Sequence, residues 1–235
     1  MQKEEFFKML RERQKKQRLS VRNEGFENFN FRGMDLSNID FTDSVFVGCV
    51  FDDAKLRYAK LDGADLSHAS CRGADFSHAA LEAANLRFCD LTNANFSGAF
   101  LKHCLLEDAV MDGVATDDRT QYFRLHCPET GAFLGYKTCF NERLVTLLIP
   151  GDAARTSATS TSCRTDRARV LKISSFDDRV QYREAVSHVD ENFVYRTGEL
   201  VFSDNFNPDR WRDSNGGIHF WMTREEALLY LTRRR

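Results

Sequence analysis

Four residues in the second half of this 235-residue chain, Cys163, His188, Asp190 and His219, are of the types that build a cysteine nucleophile, its base and an orienting carboxylate. Such chemistry needs the base within hydrogen-bond reach of the sulfur and a third group that fixes the base. The sequence supplies the types, and no nucleophile motif surrounds Cys163. It reads as Cys163 packed in a core, with the histidines making structural hydrogen bonds and "GGIHFW" forming a buried final strand. No catalytic residue is assigned, and an enzyme using Cys163 and His219 stands as one alternative.

Metal chemistry has less support. Cys127 and Cys139 are far apart in sequence, and no pair of ligands has zinc-site spacing, so neither a metal nor a cofactor is expected. The stretch "GDAARTSATSTSC" lacks the lysine and glycine spacing of a phosphate loop and reads as a mobile surface loop. Arg164, Arg167 and Arg169 form a basic cluster able to contact phosphate or an acidic protein, with pairing to Asp166, Asp177 and Asp178 the first expectation. Tyr136, Tyr195, Trp211 and Trp221 lie near charged neighbours, with Trp211 in "NPDRWRD" the expected exposed aromatic and Trp221 in "HFWM" the expected core one. The candidate partner-binding residues are therefore Trp211, Tyr195, Arg164, Arg167 and Arg169.

The elements that position these residues are short. Strand-like runs cover 132–140, 144–149, 168–173, 193–195 and 217–222. The closing stretch, TREEALLYLTRR, is a helix with a capping box, Thr223 capping and Glu226 reaching back. Residues 117–235 thus read as an α+β domain.

The first half obeys a different rule. Within YAKLDGADLSHASCRGADFSHAALEAANL (residues 58–86), Ala recurs at 59, 64, 69, 74, 79 and 84, with a larger apolar or thiol residue two places after each. A step of five fits neither a helix nor a strand. The large position runs through Phe26, Phe31, Leu36, Phe41, Phe46, Phe51, Leu56, Leu61, Leu66, Cys71, Phe76, Leu81, Leu86, Leu91, Phe96, Leu101, Leu106 and Met111. These side chains, the thiol and the methionine apart, are the expected structural core. A right-angled turn every five residues points two side chains inward, and four sides close a coil of about twenty residues whose neighbours lie about 4.8 Å apart. Gly33, Gly48, Gly63, Gly73, Gly98 and Gly113 suit turn positions with positive φ.

This pattern resembles the pentapeptide-repeat family over residues 24–114. The resemblance implies a mainly β chain, a right-handed quadrilateral parallel β-helix or solenoid of about 4.5 coils. Some members of that family mimic duplex DNA and occupy a type II topoisomerase, which makes a DNA-mimicking modulator another alternative. The later motifs "LIPGDAARTS", "CRTDRARVLKI", "AVSHVDENFVYRTGE" and "GGIHFWMTREEALLYL" resemble an uncharacterised C-terminal domain found after pentapeptide repeats in bacterial and viral proteins, phage included; that family brings no activity to carry over.

Charge is unevenly spread. Residues 1–22 carry a net +5, residues 23–114 a net −8 and residues 115–235 a net +1. Residues 2–18 read as a basic amphipathic helix, with Phe6, Phe7, Met9 and Leu10 near one stripe, that covers the first coil. No run of 18 apolar residues occurs, so no membrane span is expected. Seven cysteines without a CxxC pair suggest buried free thiols and a cytoplasmic location. The expected division is a capping helix over 1–22, repeats over 23–116 and an α+β domain over 117–235. The expected function is a non-enzymatic scaffold that binds a protein partner, with a homodimer left open and direct nucleic-acid binding not expected.

Overall fold

The computed structural model describes residues 3–13, 18–26, 28–212 and 216–232; parts of the expected helix over 2–18, and Arg233 to Arg235, lie outside the described residues. The chain divides into two compact units, Met1–Arg124 and Leu125–Arg235.

In the first unit, the five-residue step becomes a backbone pattern. Every fifth residue from Ser20 to Asn95 forms a parallel bridge with the residue twenty places on, such as Asp40 with Lys60 and Lys60 with Ala80. Each bridge is one residue wide. Between bridges the chain turns, as where Met34 N donates to Phe31 O at 3.0 Å with Gly33 at φ +65°. Residues such as Tyr58 and Phe88 take the same left-handed conformation, at φ +58° and +59°. Their rings are held by stacking on His78 and His68, each at 4.8 Å between centroids.

The large residues from Phe26 to Leu106 are buried. They stack on counterparts twenty residues away, Phe26 on Phe46 at 4.9 Å and Phe76 on Phe96 at 5.0 Å, rings nearly parallel. Helix α1 (Lys3–Glu12) places Phe6, fully buried, against Phe26 and Phe31 at 5.1 and 5.8 Å.

The expected fold class is corrected by the elements themselves. The structure is mixed α/β, with two short helices and nine strands among the described residues, all nine after residue 132. The strands lie in three separate antiparallel sheets, none closed on itself, so they are not those of a parallel β-helix or solenoid. The physical reason is local. A turn every five residues leaves one residue per side to pair, which gives bridges; extended strands arise only where apolar and polar residues run on without a turn.

The second unit contains those strands. β1 (Phe133–Cys139), β2 (Arg143–Ile149), β5 (Arg167–Ser175) and β8 (Leu200–Phe202) form one sheet in the order β1-β2-β5-β8. β3 (Arg155–Ser157), β4 (Cys163–Thr165) and β9 (Ile218–Phe220) form a second, and β6 (Glu184–Val186) pairs with β7 (Val194–Arg196). Val145, Leu147, Ile149, Val170, Ile173, Ile218 and Phe220 make the core. Helix α2 (Arg224–Thr232) begins with the predicted capping box: Glu226 N donates to Thr223 Oγ1 at 3.1 Å, and Thr223 N donates to Glu226 Oε2 at 3.3 Å.

The stretch expected to be a mobile surface loop is also corrected. It contains β3 and the start of β4, and Thr156, Ser157, Thr159 and Cys163 are buried. Its hydroxyls bond within the fold; Ser157 Oγ accepts from His126 N at 2.8 Å.

Two predictions follow from the first unit. Phe46→Ala removes a ring packed between Phe26 and three other phenylalanines and should cost roughly 3–5 kcal/mol in denaturant unfolding. Asp117 accepts from Arg119, Gly98 N and Arg119 N, and these bonds hold its carboxyl down to about 2. A depressed carboxylate contributes stability that is present above its ordinary value of 3.8 and lost as pH falls through about 2. Asp117→Asn should therefore lower Tm at neutral pH, and its deficit relative to the parent should shrink as the pH is taken below the ordinary carboxylate range of about 4.

Candidate functional site

Cys163, His188, Asp190 and His219 are not assembled as a catalytic set. The pairing of β4 with β9 puts Cys163 opposite Phe220 and Arg164 opposite His219. Neighbouring residues of a strand point to opposite faces, so Cys163 and His219 face away from each other. His188 packs edge-on against the Phe140 ring at 4.6 Å, and Asp190 Oδ1 accepts from Asn192 N at 2.9 Å within its own turn. Asp190 and His219 do share the lining of a cavity of about 210 Å³ with Lys137, Ser203 and Asn205; Cys163 is not part of it. Among the described residues no group of three or more His, Cys, Asp or Glu side chains could hold a metal ion.

The five candidate contact residues separate by depth. Tyr195 and Arg164 are each 1% exposed, so neither presents a surface to a partner. Tyr195 is part of the core, and burial pushes its hydroxyl pKa upward. Arg164 donates to Asp209 O at 3.0 Å and so holds the loop that carries Trp211. Arg167 is tied to Asp166 at 2.7 Å and Asp152 at 2.9 Å. Trp211 is half-buried beneath Arg210, whose guanidinium lies 4.2 Å from the ring.

Arg169 is different. It is exposed on β5, donates to Gly198 O at 3.0 Å, and forms no ion pair among the described residues. Cross-strand pairing puts Leu134 beside Leu148, Leu148 beside Arg169, and Arg169 beside Leu200, a row that crosses all four strands of the larger sheet. Phe202 sits two pairs further on, on the same face, opposite Arg167. Leu171 lies at the register shift between β2 and β5. Leu134, Leu171, Leu200 and Phe202 are 43%, 43%, 36% and 57% exposed. The outer face of this sheet thus carries an apolar row with Arg169 at its centre, while Arg167 beside Phe202 and Lys172 beyond the register shift, on the same face, are each paired with an aspartate. Sequence reading picked out Arg169 and missed the residues around it: the runs holding Leu134, Leu148 and Leu171 were legible but not their register, and β8, with Leu200 and Phe202, is too short for its alternation to register.

A second cluster escaped the sequence reading altogether. Cys163 sits opposite Ser157 in the β3–β4 pairing and shares the core with Cys127, which precedes β1 in a segment without helix or strand. Hydrogen bonding from Cys163 pulls the Cys127 thiol down; burial opposes this, and Arg155 and Arg210 add to it. The same contact, with burial, pushes Cys163 up. Arg210 donates from Nε to Ser157 O at 3.1 Å, which links the thiol pair to the stacked Trp211. Beside it, His126 Nε2 and Glu226 Oε1 lie 2.9 Å apart.

The model of a pentapeptide repeat region matches residues 21–96, and that of a family of unknown function, DUF5758, matches residues 123–227. No curated protein matches the chain. Among solved structures, a pentapeptide repeat protein (Rfr23) from the cyanobacterium Cyanothece 51142 is 25% identical over 43% of this chain and 86% of its own, with a TM-score of 0.36. One from the Arabidopsis thaliana thylakoid lumen is 28% identical over 39% of this chain and 61% of its own, with a TM-score of 0.21. QnrB1, a plasmid-mediated fluoroquinolone resistance protein, is 17% identical over 42% of this chain and 82% of its own, with a TM-score of 0.21.

Replacing Arg210 tests how the Trp211 surface is held. Arg210→Ala removes the bond to Ser157 O and the stacked cation, and should cost about 1–2 kcal/mol. Acrylamide quenching of tryptophan fluorescence should increase, since Trp221 stays buried.

Proposed function

From a chain that joins an N-terminal pentapeptide-repeat segment to a domain of a family without assigned function, we propose a non-enzymatic binding protein whose second unit engages a partner protein through the outer face of the β1-β2-β5-β8 sheet. The observation that carries this reading is the row Leu134, Leu148, Arg169 and Leu200, exposed but for the half-buried Leu148 and flanked by the exposed Leu171 and Phe202. Exposed apolar area that lies in one continuous row is typical of association surfaces. A lone arginine inside it favours a partner segment that sets a carboxylate among apolar side chains.

The competing reading is DNA mimicry by the repeats, directed at a type II topoisomerase. The net charge of −8 over residues 23–114 favours it. The arrangement of that charge favours it less. Arg22 lies beside Asp40, Arg32 beside Asp52, Arg57 beside Asp75, Arg72 beside Asp90, Arg87 beside Glu107 and Lys102 beside Glu82, at 2.7–3.9 Å. Each pair joins residues 18 or 20 apart, so basic groups break the acidic field along the repeat. Such exposed pairs contribute little stability, and their consequence here is electrostatic.

The test is capture of partners from lysate by the full chain, its Arg169→Glu variant and a Phe202→Ser variant, with quantitative mass spectrometry. Both substitutions should reduce retention of a partner by about tenfold or more while leaving thermal unfolding nearly unchanged. Retention unaffected by either, and lost only when the repeat's acidic residues are neutralised, would replace this reading with DNA mimicry.

A further inference from the structure

Lys137 lies on the inward face of its strand. Side chains alternate along β1, so Gly135, Lys137 and Cys139 share one face; Cys139 belongs to the core, and a side chain at Gly135 would run into the Phe220 ring. Lys137 pairs with Val145, another core residue, and is 4% exposed. Lysine is among the residues least often buried, because its ammonium gives up water at a high cost. Here it stands at an open space. The edge of β1 away from β2 is bridged at Tyr136 to Trp221 and at Cys139 to Ser187. Those partners come from different parts of the chain, the end of β9 and the turn after β6, and Lys137 falls between them. The cavity of about 210 Å³ that Lys137 lines takes its walls from both, Ser187 and Asp190 from one and Gly217, Ile218 and His219 from the other.

The lining has two characters. Phe193, Tyr195 and Ile218 are apolar, whereas Lys137, Ser187 and Asn205 carry hydrogen-bond donors. The Ser187 hydroxyl accepts from Val189 N at 3.3 Å, and Asn205 Oδ1 accepts from the Ser203 hydroxyl at 2.8 Å, so the Ser187 proton and the Asn205 amide protons are not used in these bonds. Asp190 also lines the space, with its Oδ1 engaged by Asn192 N at 2.9 Å. One wall is fixed by close backbone packing, since a side chain at Gly216 would collide with the Asn205 backbone oxygen. A few polar groups converging on a largely apolar recess are how small-molecule sites are built. We propose that this cavity binds a small organic carboxylate, its head group at Lys137 with Ser187 and Asn205 as further donors, and its apolar body against Phe193, Tyr195 and Ile218. The volume limits that body to a single ring or a short chain, because pockets for drug-sized ligands run from about 300 to 1,000 Å³. This inference is independent of the partner-binding reading, since Lys137 and Leu134 of the exposed row lie on opposite faces of β1.

The experiment titrates the full chain with benzoate and with hexanoate, and in parallel with benzyl alcohol and benzylamine, which have a ring but a neutral or cationic head. Ligand-observed NMR and thermal unfolding report binding, and hydrogen exchange locates it. At least one carboxylate should saturate, raise Tm and slow exchange in the segments around Lys137 and His219, and should bind about tenfold or more tightly than the alcohol or the amine. Lys137→Met keeps the apolar stem and drops the ammonium, and should weaken carboxylate binding by about tenfold or more. Arg169→Glu should leave that binding unchanged. Because the four probes are compared on the parent chain, a variant that fails to fold does not blunt the test. Binding of neither carboxylate, equal binding of all four probes, a preference for benzylamine, or a carboxylate held as tightly by Lys137→Met as by the parent would each overturn the proposal.

Discussion

Backbone N–H and C=O groups that leave water must find partners, and the two units meet this requirement in different ways. Along the repeats the chain turns too often for a strand to form. Its amides reach across to the residue about twenty places on, as in Leu36 N to Lys55 O and Phe41 N to Lys60 O, both 2.7 Å. That spacing decides what lies inside. Only side chains with a counterpart twenty residues away can stack, so Phe26 meets Phe46 and Phe31 meets Phe51. In the second unit the ladders run along β2 and β5, where the alternation of side chains sets one face of the sheet against the main core, while the other is covered at Leu144 by Trp221 and Ala227 and is open around Arg169.

The difference extends to the surfaces. Outward side chains of the repeats recur at the same step as the bridges, so acids and bases meet each other at fixed intervals. Arg72 with Asp90 at 2.7 Å is the tightest of these pairs. Short polar side chains also serve the turns, as where Asp90 Oδ1 accepts from Thr92 N at 3.0 Å. Bonds to Thr92 lead the effects that hold the Asp90 carboxyl below its ordinary range, with Arg72 adding to them. Such a surface is largely satisfied by its own groups. On the outer face of the β1-β2-β5-β8 sheet Arg167 and Lys172 are paired in the same way, but Arg169 is bordered by leucines and no acid is paired to it among the described residues.

The step of five was legible in the sequence because it repeats without a break, and the inward positions could be named from Phe26 onward. The fold class was not, because the sequence shows the step but not how many residues pair at each side. In the second unit, runs such as 144–149 announced themselves by composition, whereas β3, β6 and β8 are three residues long and too short for any period to register. Tyr195 and Arg164 looked like surface residues because tyrosine and arginine often are; their burial depends on β7 and β4 lying inside the unit. That Cys127 and Cys163 share one core was invisible as well, since Cys127 lies in a segment without helix or strand and so without a period to read. The capping box at Thr223 and Glu226 is local, and it was legible in full.

The most direct test of the account places a photo-activatable cross-linking residue at Leu171, on the outer face of the sheet, and in a second chain at Tyr58, an exposed ring of the repeats. Both chains would be irradiated in lysate and their adducts compared by mass. The account predicts a protein adduct from position 171 that position 58 does not give. An adduct from position 58 alone would contradict it and move recognition to the repeats.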